Sequence, residues 1–349
     1  VIFGGLAALL LSGVVFWKAY QAVYSPNTAR SSGEFAEINV TPGMTLQALA
    51  DSLLNNGVIN SARDFVFSAR LLRLDQQIQV GLYPLPFGRS NADLLIRLSN
   101  SGSSAALITI PEGMTSREIA ALLKSRIGMD SAAFMRAVSD SALLAKNGIC
   151  APSFEGFLFP DSYHFYHEMK PAWVVQRMVN RFFQVFDSTQ QAKAAAMGLS
   201  VTEAVTLASI IEGEIYSPDE DGLISAVYHN RLKKNMLLQA DPTIQYIISN
   251  NRRRLFRSDL AVESPYNTYL HPGLPPGPVC NPGKKALLAA LSPAPVPYLF
   301  MVSQGDGRHA FNTNLADHLL AKTKLDSLRQ ALAASAAQGQ DSTGQNRFR

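Results

Sequence analysis

The chain has 349 residues, of which 47% are hydrophobic and 17% charged, with a net charge of +4. That balance excludes a disordered chain, and two cysteines exclude a disulfide scaffold or a multi-cysteine zinc module; the length allows two or three folded units. The mild basic excess, with a pI near 9.0, does not call for nucleic acid and tolerates an anionic polymer as partner.

Charge is absent from Val1 to Trp17, where Ser12 is the only hydroxyl, and Lys18 is the first charged residue. As a helix those residues would span roughly 26 Å, the short end of a membrane crossing. Lys18 can snorkel, and Trp17, Tyr20 and Tyr24 suit a membrane interface. A cleaved signal peptide is the alternative, but Ala19-Tyr20-Gln21-Ala22 is a poor cleavage site. The expectation is an uncleaved anchor over 1–24, followed by a polar linker over 25–37.

An internal repeat follows. Ile38 to Leu53 reads INVTPGMTLQALADSL, and Ile108 to Leu123 reads ITIPEGMTSREIAALL, at an offset of 70 residues. Gly43-Met44-Thr45 matches Gly113-Met114-Thr115, and Asn60-Ser61-Ala62 parallels Asp130-Ser131-Ala132. Each copy predicts strand, Gly turn, helix, loop, second helix. Thr115 with Glu118 has the spacing of a capping box. A further echo joins Gly81-Leu82-Tyr83-Pro84 to Gly156-Phe157-Leu158-Phe159-Pro160. The modules are expected over 38–106 and, with a connection, 107–170. They resemble LysM modules, which bind amino-sugar polymers. A duplication that only spaces a domain from the membrane fits the first copy equally well.

From 171 to 333 the pattern predicts one mainly helical domain, giving an α+β chain overall. Helices are expected over Pro171–Phe186, Gln190–Met197 and from Ser200 onward. Ser200 with Glu203 is a capping-box pair, and the very apolar run to Ile211 marks a helix buried on most sides. It ends in Glu212-Gly213-Glu214. Two residues apart, these acids point about 200° from each other, so they cannot form a paired-carboxylate site. Either could enter apolar surroundings, which would raise its pKa and let it donate a proton near neutrality. Glu212 is expected to be the deeper. Alternatively, both cap a turn in solvent. A next helix, Asp221–Lys234, carries Asn230 and Arg231 on the apolar stripe of Leu223, Ala226 and Val227. They either face a cleft or hold the domain together.

The motifs then add up. They are Leu207-Ala208-Ser209-Ile210-Ile211-Glu212, Tyr228-His229-Asn230-Arg231-Leu232, Leu238-Gln239-Ala240-Asp241-Pro242-Thr243, Ser264-Pro265-Tyr266-Asn267-Thr268-Tyr269, Gly273-Leu274-Pro275-Pro276-Gly277-Pro278, Asn281-Pro282-Gly283 and His309-Ala310-Phe311-Asn312-Thr313. With Glu155 to Tyr163 upstream, they resemble the YceG-like family of endolytic murein transglycosylases, from about Ile38 to His318. The resemblance implies a membrane-anchored enzyme, single-pass in the inner membrane, with its catalytic domain on the outer side. It implies non-hydrolytic cleavage of the bond between N-acetylmuramic acid and N-acetylglucosamine within nascent strands, leaving a 1,6-anhydro end and terminating elongation. Glu212 would be the single acid and base, and Asp241 an orienting acid. Asn230, Gln239, Asp241, Tyr266, Asn267 and Tyr269 match motif positions with chemistry suited to sugar contacts. Glu155 either lines the cleft or ties the second module to the catalytic domain. The implied partners are glycan strands, membrane lipid and peptidoglycan synthases. A non-catalytic glycan-binding scaffold is the rival reading.

Glu263 to Gly283 holds six Pro and three Gly, so it is neither helix nor central strand; it is a rigid cleft wall or an ordinary stiff connection. Arg252-Arg253-Arg254 with Arg257 either meets carboxylates of peptide stems or is a solvated face. No cofactor is expected: no His/Cys cluster has metal spacing, and there is no GxSxG elbow or phosphate loop. Cys150 and Cys280 are expected as free thiols. Residues 334–349 are expected to be disordered.

Overall fold

The computed structural model describes residues 2–27, 35–99, 106–165, 169–215, 217, 219–248, 253–325 and 327. Part of the expected linker (28–34), Arg252 and the tail 334–349 lie outside them. Among the described residues the fold is mixed α+β, with helices and three two-stranded sheets. The chain divides into two compact units, Val1–Leu107 with His164–Tyr166, and Ile108–Tyr163 with His167–Arg349. The second repeat copy therefore shares a unit with the large helical region.

The first unit runs α1 (Ile2–Tyr24), β1 (Phe35–Val40), α2 (Leu46–Asn55), α3 (Ala62–Leu71), β2 (Gly81–Pro86) and α4 (Asn91–Ser99). Among the described residues no single helix is long and apolar enough to cross a membrane. On α1, Val14, Val15, Phe16 and Trp17 are exposed, whereas Val23 is buried. β1 and β2 pair antiparallel, with Ile38 opposite Tyr83. Alternation puts Ile38 and Val40 into a core with Leu49, Leu53, Phe65 and Leu95. The expected linker is partly built in. Asn27 is buried and donates to Arg89 O and Asn91 Oδ1, while its own Oδ1 accepts the Asn60 N–H at 2.8 Å.

The second unit adds β3 (Ala106–Thr109), α5 (Ser116–Ile127), α6 (Ser131–Val138), α7 (Ser141–Lys146), β4 (Ser162–Phe165), α8 (Pro171–Val185), α9 (Ser188–Ala196), α10 (Val201–Glu214), α11 (Asp221–Lys233), α12 (Asp241–Ile248), α13 (Lys284–Ala290), β5 (Phe300–Ser303) and β6 (His309–Asn312). The boundary between the units falls within β3 and β4.

The repeat is real at the level of turns and caps. Gly43 and Gly113 sit at φ +80° and +73°, which the tight turn before each helix requires. Thr45 and Thr115 cap α2 and α5, and Thr115 with Glu118 closes a capping box. The second-helix caps differ by one position, Ser61 for α3 and Asp130 for α6. The later echo holds less well. Gly81 opens β2, but Gly156 lies in a turn, and β4 starts only at Ser162. Packing accounts for the difference: Phe157 and Leu158 are fully buried, and the Phe157 ring meets Phe182 of α8 edge-on at 5.0 Å.

α8 buries Val174, Val175, Met178, Val179 and Phe182, a stripe with helical period. Truncating Phe182→Ala should cost about 3–5 kcal/mol, because it empties a site with no exposure. Chemical denaturation followed by circular dichroism would measure it.

Candidate active site

α10 organises the site. The Ser200–Glu203 capping box starts it, and every residue from Ala204 to Ile211 is buried. Ser209, polar inside this apolar run, fastens a loop to the helix. Its Oγ donates to Thr206 O at 2.7 Å and accepts the Val279 N–H at 2.9 Å, and Cys280 Sγ lies 3.3 Å from its carbonyl oxygen. One turn on, Glu212 Oε2 accepts the Gly283 N–H at 2.9 Å. Ser209 and Glu212, three apart, thus present one helix face to the 279–283 segment.

Asn281, fully buried, knots that segment to the second repeat copy. Its Oδ1 accepts the Leu158 N–H, and its Nδ2 donates to Met114 O and Glu155 Oε1, each at 2.9 Å. Its backbone also pairs with Gly113 and Met114. Glu155 accepts the Ser116 N–H at the start of α5. Burial pushes the Glu155 carboxyl up to about 7, against the Ser116 hydrogen bonds that lower it.

The opposite face of α10 builds a different environment. A cavity of about 1160 Å³ has Glu214, Tyr228, Arg231, Gln239, Asp241 and Tyr269 in its wall. Tyr228 Oη donates to Glu214 Oε1 at 3.1 Å, and Tyr269 Oη donates to Asp241 Oδ1 at 2.6 Å. Gly213 lets α12 come close: a Cβ there would lie 2.5 Å from Pro242 Cγ. The Glu214 carboxyl is pushed up to about 7, first by desolvation and then by the Asp241 charge; Tyr228, Arg231 and the Asp241 backbone pull the other way. Glu214 is also the last residue of α10, where the helix dipole disfavours an anion. Its proton is therefore available near neutral pH.

The expected site residues separate into two groups. Gln239, Asp241 and Tyr269 line the cavity. Gln239 is exposed and adopts φ +50°, with its N–H on Thr268 O. The others do not line it. Glu212, expected as the deeper acid, turns to the 279–283 segment. Glu155 ties the start of α5 to Asn281. Asn230 donates from Nδ2 to Val296 O and Tyr298 O, at 2.8 and 2.9 Å. Asn267, fully buried, donates to Leu260 O and Val262 O and accepts the Tyr269 N–H. Tyr266 packs on Tyr246 with ring centroids 5.1 Å apart. For Asn230 and Asn267 the reason is common: an amide side chain, from α11 in one case and from the Pro-rich stretch itself in the other, supplies bonds that irregular backbone lacks. Sequence reasoning offers Glu214 as an alternative to Glu212 but does not single out Tyr228, whose signal is weak because a tyrosine on a buried helix reads as core. Cys150 is an exposed thiol and Cys280 a buried one, with its Sγ on the Ser209 carbonyl.

Residues 38–324 match the YceG-like family. An endolytic murein transglycosylase of Bacillus subtilis is 29% identical over 84% of this chain and 86% of its own length. One from Streptococcus pneumoniae is 25% identical over 89% of the chain and 62% of its own length. The crystal structure of a YceG-like protein from Listeria monocytogenes superposes with a TM-score of 0.57 at 26% identity, covering 82% of this chain and 98% of that one.

Asn281→Leu should destabilise the second unit by about 2–4 kcal/mol, since it leaves buried polar partners unsatisfied. Glu155 gives a pH signature. Its carboxyl protonates near 7 when folded and near 4.5 when unfolded. Its contribution is therefore complete at acid pH and lost as pH rises through 7. Thermal melts across that range should fall less steeply with pH in Glu155→Gln.

Proposed function

Since the chain belongs to the YceG-like family, we propose that it is a murein lytic transglycosylase in which Glu214 is the single acid and base. One observation carries the residue choice. Among the two acids at the end of α10, Glu214 is the one in the cavity wall, with its carboxyl held near neutrality. The motif resemblance points to Glu212, two residues earlier. Its bond to Gly283 on the other helix face argues for a structural duty there.

Protonated Glu214 gives its proton to the bridging oxygen as the bond from that oxygen to C1 of the muramic sugar breaks. The C6 hydroxyl oxygen of the same sugar then bonds to C1, and its proton passes to the Glu214 carboxylate. The enzyme returns to its starting state, and the product carries a 1,6-anhydro ring. The nucleophile is held by the substrate, so neither water nor a second carboxylate takes part. This departs from glycosidases with two working carboxylates. It agrees with Asp241 being engaged by Tyr269 rather than poised to attack. Asp241 instead raises the Glu214 pKa, and Tyr228 holds Oε1.

The relatives' name, endolytic murein transglycosylase, supports cleavage within strands. The proposal extends to nascent glycan, with chain termination beside the synthases. In this reading α1 is a single-pass inner-membrane anchor, supported by its exposed Val14 to Trp17, and the second unit faces the outer side. The strand–helix–helix–strand order from β1 to β2 supports a LysM-like, glycan-binding role for the first unit.

Digestion of purified murein by the protein, followed by mass spectrometry, should yield anhydromuramoyl ends. Glu214→Gln should lose at least about a thousandfold in rate, whereas Glu212→Gln should keep much of it. A Glu214→Gln variant with full activity would overturn the choice of Glu214, and unmutated protein that binds murein without releasing anhydromuramoyl ends would favour the scaffold reading. Because the acid form starts the reaction, kcat should fall above about pH 7. The Tyr228 hydroxyl favours the carboxylate, so Tyr228→Phe should shift that limb to higher pH; the pH–rate profile reads it directly.

A further inference from the structure

The segment after α12 contributes another construction to the same cavity wall. Gln245 clamps the Arg253 backbone from both sides: Nε2 donates to Arg253 O, and Oε1 accepts the Arg253 N–H. Asp259 takes the Arg253 guanidinium with both oxygens, at 2.7 and 2.9 Å, and its Oδ2 also accepts the Phe256 N–H at 2.7 Å. The Arg253 side chain and then the Phe256 N–H hold the Asp259 carboxyl down to about 2, so this clamp stays ionised at any working pH. The guanidinium carbon of Arg253 also lies 5.2 Å from the Phe256 ring centroid.

This turn is braced at several points, yet Phe256 remains 62% exposed. Burying a phenylalanine side chain is ordinarily favourable. Here the bracing holds the ring out instead. Arg254 and Arg257, both exposed, stand on either side, and all three residues line the cavity. Arg117 of α5 and Lys322 add positive charge to the same wall. An apolar ring between cations inside a concave wall matches a ligand with an apolar face and neighbouring anions. A pyranose presents such a face in its axial C–H groups, and peptide stems carry carboxylates beside the sugar. A rigid platform also loses little entropy on binding.

We infer that the Arg253–Arg257 turn is a substrate subsite, in which Phe256 stacks on a sugar ring and Arg254 and Arg257 pair with stem-peptide carboxylates of the same strand. The choice of ligand rests on the murein reading above; the platform itself rests on the turn. Phe256, Arg254 and Arg257 take no part in the α10 site chemistry.

The test measures binding in the full chain carrying Glu214→Gln, by co-sedimentation with insoluble murein, either intact or stripped of peptides by an amidase. Phe256→Ala should weaken binding to both forms about tenfold, and Phe256→Trp should restore it. The Arg254→Ala/Arg257→Ala pair should weaken binding to intact murein several-fold and leave stripped murein unchanged. That difference should shrink in about 0.5 M salt. Unchanged binding by Phe256→Ala, or equal loss on both substrates in the arginine pair, would overturn the inference. Anhydromuramoyl products from the Glu214→Gln protein would instead overturn the catalytic assignment, while the binding comparison still judges the subsite. Unshifted thermal melts confirm that these exposed substitutions leave the fold intact.

Discussion

A single buried amide holds the second unit in its working arrangement. Asn281 reaches Leu158, Met114 and Glu155 with one side chain, and its backbone closes on the turn at Gly113 and Met114. Its neighbours Val279, Cys280 and Gly283 are all fastened to α10. The segment therefore joins the helix that carries the acid to the copy that precedes it. Crowding makes the joint exacting. A Cβ on Gly283 would fall 2.0 Å from Glu112 Oε1, and one on Gly156 2.4 Å from Pro278. Irregular backbone can be buried here because amide and carboxyl side chains complete its hydrogen bonds.

The same helix separates two acids by geometry alone. Glu212 and Glu214 differ by one peptide either side of Gly213, and that offset decides their surroundings. One meets the Gly283 N–H on the face turned to the 279–283 segment. The other meets a tyrosine, an arginine and a second acid in the wall of a cavity. The Glu214 pKa is a balance in which desolvation and Asp241 outweigh Tyr228 and Arg231. Arg231 acts on Glu214 through its charge, while its N–H groups donate to the backbone carbonyls of Leu238 and Leu299.

Much of this was legible before any coordinates. The apolar run from Ala204 to Ile211 named the central helix, and the Gly-Met-Thr turns named the duplication. Expected helix ends near 171, 186, 200 and 221 fall within a residue or two of the observed ones. Side-chain destination was harder to read. Asn230, Asn267 and Glu155 have chemistry suited to a sugar, but the same donors and acceptors satisfy buried loops, and type alone does not separate those uses. The surroundings of Glu212 and Glu214 are hard to read for a related reason: they come from α12 and from the 279–283 segment, distant in sequence. The linker reading missed Asn27 because one polar residue can anchor an otherwise plain stretch.

The end of α1 carries one more implication. Asn91 Nδ2 donates to the carbonyl oxygen of Ala22 at 2.8 Å, within the last turn of the helix, and the Ser68 hydroxyl, shared with Asp64 O at 2.6 Å, lies 3.1 Å from it. The helix ends in a fixed joint rather than a swivel, and it stops only after entering the fold it leads to. The axis of α1 and the attitude of the first unit are consequently a single mechanical variable. Tilting one tilts the other, and the first unit behaves as the head of a rigid lever whose shaft is the helix.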